Sequence, residues 1–354
     1  MQLAQKQALA EALLGGEAVD WQPPQASAPA GFRNRAKMVV AGSVPAPTLG
    51  ILDAHGSGVD LGDCPLYPPA LAVAFEPLRE LIRRAGIAPY SVPQRRGELK
   101  YLLLTLAEDS GELMIRFVLR SRAALPALQR HLPQLRQSLP QARVLSANLQ
   151  PVHQAVLEGD EEIALSTEQA LPLRINGLRL WLGPQAFFQT HTAMAAALYR
   201  QARDWLQQVD AAQLLDLYCG IGGFALHCAD GLRSVRGIEL SAAAVQLATR
   251  AAADNGLTQV QFTQADAQAG LDALPQLPAA LIVNPPRRGL GAALCAHLQQ
   301  TTDLRWLLYS SCDVRTLARD LAALPNFHLR RARVFDMFPH TAHFETLCLL
   351  ERAA

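Results

Sequence analysis

Long apolar runs are missing from this chain of 354 residues, and so is any excess of charge. No stretch reaches the about 18 consecutive apolar residues that a membrane span requires. Met1 to Gly15 is not a signal peptide, because Gln and Lys interrupt it and no apolar core follows. These absences point to a cytoplasmic protein with no membrane partner. The formal net charge is only +1, so bulk electrostatics do not announce a nucleic-acid binder, although a local basic face survives such averaging. CxxC pairs are also missing. The cysteines stand apart at Cys64, Cys219, Cys228, Cys295, Cys312 and Cys348, and a reducing compartment keeps such thiols unpaired. Most isolated cysteines are small buried hydrophobes, so a reactive one has to be argued from its neighbours. There is no internal repeat.

What is present is ample core material: 50% of residues are hydrophobic and 18% charged. The length exceeds the roughly 150 residues of one typical domain, so two domains are expected. Residues 1–30 read as an N-terminal helix, with Leu3, Leu9, Leu13 and Leu14 as its apolar positions, followed by a Pro-rich linker from Trp21 to Gly31. Residues 31–180 read as an α+β domain. RAKMVVAGSV and TLGIL are strands, and PPALAVAFEPLRELIRRAG is an amphipathic helix. LKYLLLTLAE and ELMIRFVLRS form an alternating hairpin, LPALQRHLPQLRQSL is a second helix, and RVLSANLQPV and EEIALST are further strands. Beyond Leu180 the pattern changes. The apolar strands LLDLY, SVRGIE, VQFTQ, ALIVN and RWLLYS alternate with helical stretches such as Ser241 to Asn255 and Asp313 to Leu324. That alternation predicts a doubly wound parallel sheet over residues 181–354, closed by HLRRARVFDMF and HFETLCLLE.

Strand 214–218 runs into Cys219-Gly220-Ile221-Gly222-Gly223-Phe224, a Gly-rich loop that lets backbone approach a ligand closely. The next strand ends in Glu239, about 20 residues on, where a carboxylate can hold ribose hydroxyls. NAD and S-adenosylmethionine both use such an arrangement. The loop is not GxGxxG, so the glycine spacing a pyrophosphate wants is absent. The fourth strand ends in Asn284-Pro285-Pro286-Arg287-Arg288-Gly289, a fixed acceptor beside a planar substrate. Both features favour S-adenosylmethionine. Asp266 either contacts adenine or belongs to a surface turn.

Tyr309-Ser310-Ser311-Cys312 ends the next strand at the same sheet edge. Cys312 precedes a helical run whose N-terminus would lower its thiol pKa, with Asp313 opposing. Glu345 follows the aromatic, Pro-containing stretch from Phe338 to Phe344. His340 and His343 lack the spacing and companions of a zinc site. A thiol and a carboxylate suit one reaction. C5 of uracil is too weak a nucleophile to take a methyl group unaided. A thiolate added at C6 makes C5 carbanion-like, and a base then removes the C5 proton.

These residues resemble the RNA uracil-C5 methyltransferase family, a class I, Rossmann-like S-adenosylmethionine-dependent fold with an N-terminal RNA-binding domain. The matching stretches are FFQT, DLYCGIGGF, GIE, NPPRRG, SSC with TLARDL, and DMFPHTAHFE. Upstream, GFRNRAKMVV, DCPLYP, RRGELKYLLLT, IRFVLRS and NLQPVH extend the match over nearly the whole chain from Gly31. The upstream segments and NPPRRG resemble the branch that acts on uracil-747 of 23S rRNA. The resemblance implies that Gln189, Tyr218, Glu239 and Asn284 bind S-adenosylmethionine, that Cys312 is the nucleophile and that Glu345 is the base. It implies a monomer whose partner is 23S rRNA, with the target base flipped from its stack. It also implies a [4Fe-4S] cluster on four cysteines, three of them in an N-terminal Cys-x₇-Cys-x₂-Cys pattern. Only Cys64 stands at a matching position, the chain beginning about where that segment would end, and one cysteine cannot hold such a cluster alone. Asp313-Val314 follow the nucleophile where many relatives have Asn-Pro.

Basic residues cluster at Arg33, Arg35 and Lys37, at Arg95, Arg96 and Lys100, and at Arg116, Arg120 and Arg122. They are either a solvated face or a phosphate-binding one. Competing functions are the same chemistry on a tRNA uracil, an amino-group methyltransferase, and an inactive methyltransferase fold that binds or folds RNA. The second of these usually has an aromatic after the prolines, where Arg287 stands, and needs no thiol.

Overall fold

The computed structural model describes residues 2–15, 19–154 and 156–353. Met1, the first residue of the expected N-terminal helix, lies outside them. The chain divides into two compact units. One comprises Met1–Pro29, Arg174–Leu182 and Ala186–Ala354, the other Ala30–Leu173 and Gly183–Gln185.

The first unit is built on an eight-stranded sheet. Its strands are β1 (Asp20–Trp21), β2 (Gln213–Leu217), β3 (Ser234–Glu239), β4 (Val260–Gln264), β5 (Ala280–Val283), β6 (Trp306–Ser311), β7 (Phe327–Phe335) and β8 (Glu345–Arg352). The spatial order is β1-β7-β8-β6-β5-β2-β3-β4. Strands β2 to β6 are mutually parallel. Strand β8 runs antiparallel to both neighbours, β6 and β7. All of β5 is buried, the mark of a strand covered on both faces and the reason ALIV carries no polar alternation. The helices are α1 (Gln2–Leu14), α2 (Thr192–Leu206), α3 (Gly223–His227), α4 (Ala242–Asp254), α5 (Ala267–Asp272), α6 (Ala292–Gln300) and α7 (Val314–Ala322). Side-chain caps open four of them, α2 through His191, which accepts from Met194 N. Ser241 accepts from Ala244 N, Asp266 from Gln268 N and Asp313 from Arg315 N and Thr316 N, each satisfying a backbone donor that lacks an intrahelical partner. Asp266 is therefore a cap rather than a bare turn residue.

One consequence of this topology decides where chemistry can occur. The carboxyl ends of β2, β3, β5 and β6 line one edge of the sheet, where ligands of open α/β sheets bind. Because β8 is antiparallel to β6, its amino end, Glu345, reaches that same edge.

The second unit holds a seven-stranded sheet. From one edge to the other it runs Gly58–Asp60, Pro47–Leu52, Arg35–Gly42, Leu99–Leu106, Leu113–Leu119, Ala142–Leu149 and Glu161–Ala164. All pairs are antiparallel except Leu113–Leu119 with Ala142–Leu149, which is parallel. The helix Leu125–Ser138 supplies the crossover that a parallel pair needs. Two sequence expectations need correction here. The single helix expected over PPALAVAFEPLRELIRRAG is two, Pro69–Ala72 and Phe75–Ala85. Pro77 has no N–H to donate across the junction, and a proline is best accommodated in a helix's first turn. The expected alternating hairpin is instead buried on both faces, every residue of Leu113–Leu119 included.

That burial removes two of the basic residues from any RNA-facing role. Arg116 is 2% exposed, ion-paired with Glu158 and Glu162. Lys100 is also buried; it donates to Gln150 and, at 2.7 Å, to Val152 O. At the surface Arg120 pairs with Glu98 and Arg122 with Glu161. Arg33, Arg35 and Lys37 keep the less buried alternate positions of their strand, while Phe32, Asn34, Ala36 and Met38 turn inward. Arg95 and Arg96 are exposed.

Candidate active site

At the end of β2 the backbone enters a conformation that few side chains tolerate. Tyr218 has φ +62°, Gly220 φ +54° and Gly222 φ +86°. A non-glycine residue with positive φ is strained, and such strain concentrates at ligand sites. Glu239, at the end of β3, braces the turn. Its Oε2 accepts from Gly220 N at 3.1 Å, and its Oε1 accepts from Ser241 N at 2.9 Å. Beneath the loop, Asp216 is fully buried and accepts from Ala225 N at 2.9 Å. Burial pushes its carboxyl up to about 8. Its other oxygen, Oδ1, has no hydrogen-bond partner among the described residues. A Cβ built on Gly220 meets nothing within 4 Å. An open backbone cradle at Gly220 lets the main chain approach a ligand such as S-adenosylmethionine closely, while Asp216, which keeps its proton at neutral pH, braces the loop through Ala225. Burial pushes the phenol of the half-buried Tyr218 up, and the charges of Asp266 and Arg288 act on it in opposite directions.

Gly222 is constrained twice over, by space and by backbone. A Cβ there would stand 2.8 Å from the Phe262 ring in a left-handed backbone. Gly222→Ala should weaken S-adenosylmethionine binding about tenfold or more, since strain and clash together cost upward of roughly 1–2 kcal/mol. Equilibrium binding of the ligand to the folded variant checks this, and undiminished affinity would remove the loop from the site.

Cys312 and Glu345 come together through strand register. Ser310 pairs with Leu347 and Ser311 with Thr346, so the next step outward sets Cys312 beside Glu345. Side chains alternate along a strand, which puts Ser310 and Cys312 on one face. Ser310 Oγ donates to Glu345 Oε1 at 2.5 Å, so that face also carries the carboxylate. Glu345 is 1% exposed, and burial pushes its carboxyl up to about 7 against the pull of the Ser310 hydrogen bond. The half-buried Cys312 thiol is held above its ordinary value, first by burial and then by the negative charge of Glu345. Arg287, by charge and hydrogen bond, draws it back down. The helix N-terminus was expected to lower this thiol; burial and the adjacent carboxylate outweigh it. Of these contacts, Ser310 was missed by the sequence reading, although its position two residues before Cys312 on one strand was the available signal.

Asn284 is half-buried at the end of β5. The loop that follows it is held from α7. Asp320 Oδ2 accepts from Leu290 N at 2.7 Å and from the Tyr309 hydroxyl at 2.8 Å. Gln189 is buried just before His191, the cap of α2. Burial lowers the His191 imidazole to about 4, and Asp336 opposes that shift. Cys64 is half-buried in a turn of the other unit. No group of three or more His, Cys, Asp or Glu side chains among the described residues could hold a metal ion, so the donors present do not fit an iron–sulfur cluster. A cavity of about 440 Å³ lined by Gln213, Ser234 and Gln259 lies at the opposite, amino-terminal ends of the strands.

The model of the tRNA (uracil-5-)-methyltransferase family matches residues 166–353. A 23S rRNA (uracil(747)-C(5))-methyltransferase of Edwardsiella ictaluri is 51% identical over 354 residues, which are 100% of this chain and 94% of the relative. The protein of that name from Halothiobacillus neapolitanus is 50% identical, over 99% of this chain and 93% of its own. The crystal structure of Pyrococcus abyssi tRNA (uracil-54, C5)-methyltransferase with S-adenosyl-L-homocysteine superposes with a TM-score of 0.81 at 24% identity, covering 99% of this chain and 82% of that one. The last likeness establishes the fold, and the sequence matches establish the kinship: this chain belongs to the RNA uracil-C5 methyltransferase family.

Proposed function

We propose that this enzyme methylates C5 of a uracil in 23S rRNA, uracil-747 in a hairpin loop, with Cys312 as nucleophile and Glu345 as general base. The observation that carries the reading is the single face shared by Cys312, Ser310 and Glu345 at the carboxyl edge of the sheet. Gln189, Tyr218, Glu239 and Asn284 would hold S-adenosylmethionine, which when bound supplies an electrophilic methyl group to C5. Residues 31–180 would recognise the RNA, with Arg33, Arg35 and Lys37 toward its phosphates. The enzyme would act as a monomer. Its substrate puts it in the cytoplasm, and no described helix is long and apolar enough to cross a membrane.

The protein's own groups act in sequence. Cys312, as thiolate, forms a bond to C6 and pushes the ring π electrons toward C5 and O4. After C5 has gained its methyl group it carries both methyl and hydrogen. Glu345 takes that hydrogen as a proton, the electrons re-form the C5–C6 double bond, and the sulfur leaves as thiolate. A carboxyl raised to about 7 is a base matched to neutral pH. Arg287 counters the two influences that keep the thiol protonated.

Two measurements test this. Methyl transfer is assayed on transcripts of the 23S rRNA hairpin and of a tRNA thymine loop. The hairpin should be methylated and the tRNA left unmodified; the reverse would move the enzyme to a tRNA target. Arg287→Ala should slow thiol addition to 5-fluorouracil RNA about tenfold at neutral pH and shift its pH dependence upward, because less thiolate is present. An unchanged pH profile would exclude Arg287 from thiol activation.

A further inference from the structure

Helix α1 packs Leu3, Leu9 and Leu14 against the core as the sequence suggested, but it also buries a charge. Lys6 is 3% exposed and Ala10 fully buried, whereas Leu13 is 40% exposed. The ammonium is paired. Lys6 Nζ stands 2.6 Å from Asp336 Oδ1 and donates to Phe338 O at 3.0 Å. Both partners lie on the connection from β7 to β8, which delivers Glu345.

That connection is tied to the N-terminal segment at further points. Gln2 Nε2 donates to Thr341 O at 2.8 Å, and Gln2 Oε1 accepts from His340 N at 3.1 Å. Asp336 N donates to Gln25 O at 3.0 Å. His340, at φ +65°, brings its Nε2 within 2.6 Å of Pro29 O. The apolar contacts converge on the same place. Ala10 packs in one buried cluster with Val314, two residues after Cys312, and with Phe344, directly before Glu345. A buried lysine is unfavourable unless paired, so its presence at the core-facing position of α1 calls for a role that an apolar residue would not fill.

We infer that the buried Lys6–Asp336 ion pair is a positioning device, by which the N-terminal helix fixes the 336–344 connection and so sets Glu345 against Cys312. The inference rests on the roles given above to those two residues. Lys6 touches no reacting atom. It acts through the loop, and its removal should slow the step Glu345 serves more than the step Cys312 serves.

The test uses the full chain with Lys6→Met, Asp336→Asn, the double variant and Gln2→Ala. Active sites are counted by trapping with 5-fluorouracil hairpin RNA, which normalises for any unfolded fraction. Per trapped site, Lys6→Met and Asp336→Asn should each lower kcat about tenfold or more, as a misplaced base does. S-adenosylmethionine affinity should stay within about twofold, because the Gly-rich loop is untouched. Each variant should also accumulate a covalent adduct with ordinary uracil RNA, because addition proceeds while proton removal lags. The double variant should be no slower than the worse single one, since both remove one interaction. Gln2→Ala, which loses only the outer ties, should act in the same direction by about twofold and covers the case in which Lys6→Met does not fold. Unchanged kcat per site and no adduct in the folded variants would overturn the inference, as would effects that multiply in the double variant. A parent protein that traps no 5-fluorouracil RNA would instead overturn the reading of Cys312, and the positioning role with it.

Discussion

A Cys312→Ala protein should form no covalent adduct with 5-fluorouracil RNA and should lose methyl transfer by on the order of 10⁴-fold or more, the scale of losing a nucleophile whose partners act as a unit. The loss is this large because none of the four other cysteines of this unit can replace the sulfur. Burial pushes the Cys219, Cys228 and Cys348 thiols well up, and that of Cys295 to about 11. Cys219 and Cys348 have no arginine to lower them as Arg287 lowers Cys312, and at Cys228 and Cys295, where arginines do act, burial still leaves the thiol raised. The uncatalysed alternative, direct methylation of C5, lacks the electron density that addition at C6 supplies. Cys312 is half-buried, so truncation to alanine leaves a small void and an otherwise intact fold. Binding of S-adenosylmethionine should therefore be retained within about twofold, and thermal unfolding should be nearly unchanged. Denaturing gels of the RNA mixture read the adduct, and tritiated methyl incorporation reads turnover. Persistent trapping by the alanine variant would place the nucleophile elsewhere and dismiss the covalent scheme.

Much of this site could be read from the sequence because its parts are local. DLYCGIGGF is a strand running into a glycine turn, and SSC stands at the end of a run of apolar residues. Strand ends of a parallel sheet share an edge, so the proximity of Glu239, Asn284 and Cys312 follows from the alternation of strands and helices alone. What could not be read depends on partners far apart in the chain. Lys6 meets Asp336 across 330 positions and Ser310 meets Glu345 across 35. A lysine within a weakly patterned helix gives no sign of its burial until its carboxylate is seen. Arg116 misled for the same reason. It occupies a strand of a central hairpin, and only the fold reveals Glu158 and Glu162 beside it. The expected thiol activation failed differently. A helix N-terminus is legible in sequence, but the competing burial and the neighbouring carboxylate are properties of the packed site.

Glu345→Gln gives the second large effect, and it separates the two halves of the reaction. The amide can keep the Ser310 hydrogen bond and the packing, but it cannot take a proton. Thiol addition and methyl transfer should proceed, after which the RNA stays attached to Cys312. We expect kcat to fall by about 10²- to 10⁴-fold, the usual worth of a general base, with a covalent adduct accumulating on ordinary uracil RNA. In the parent enzyme kcat should rise with pH through about 7, as the Glu345 carboxylate forms. That limb should vanish in the variant. Stability should move the opposite way. The folded carboxyl holds its proton up to about 7, whereas the ordinary value is 4.5. Between those values the folded state binds the extra proton, so its stability declines as pH rises through that window. The glutamine variant has no such group to ionise. It should therefore gain on the parent by up to on the order of 3 kcal/mol at pH 8 and by nothing at pH 4. Denaturant unfolding at the two pH values measures that difference. A variant that turns over normally, or that releases its RNA without an adduct while 5-fluorouracil trapping still works, would show that the proton leaves C5 by another route.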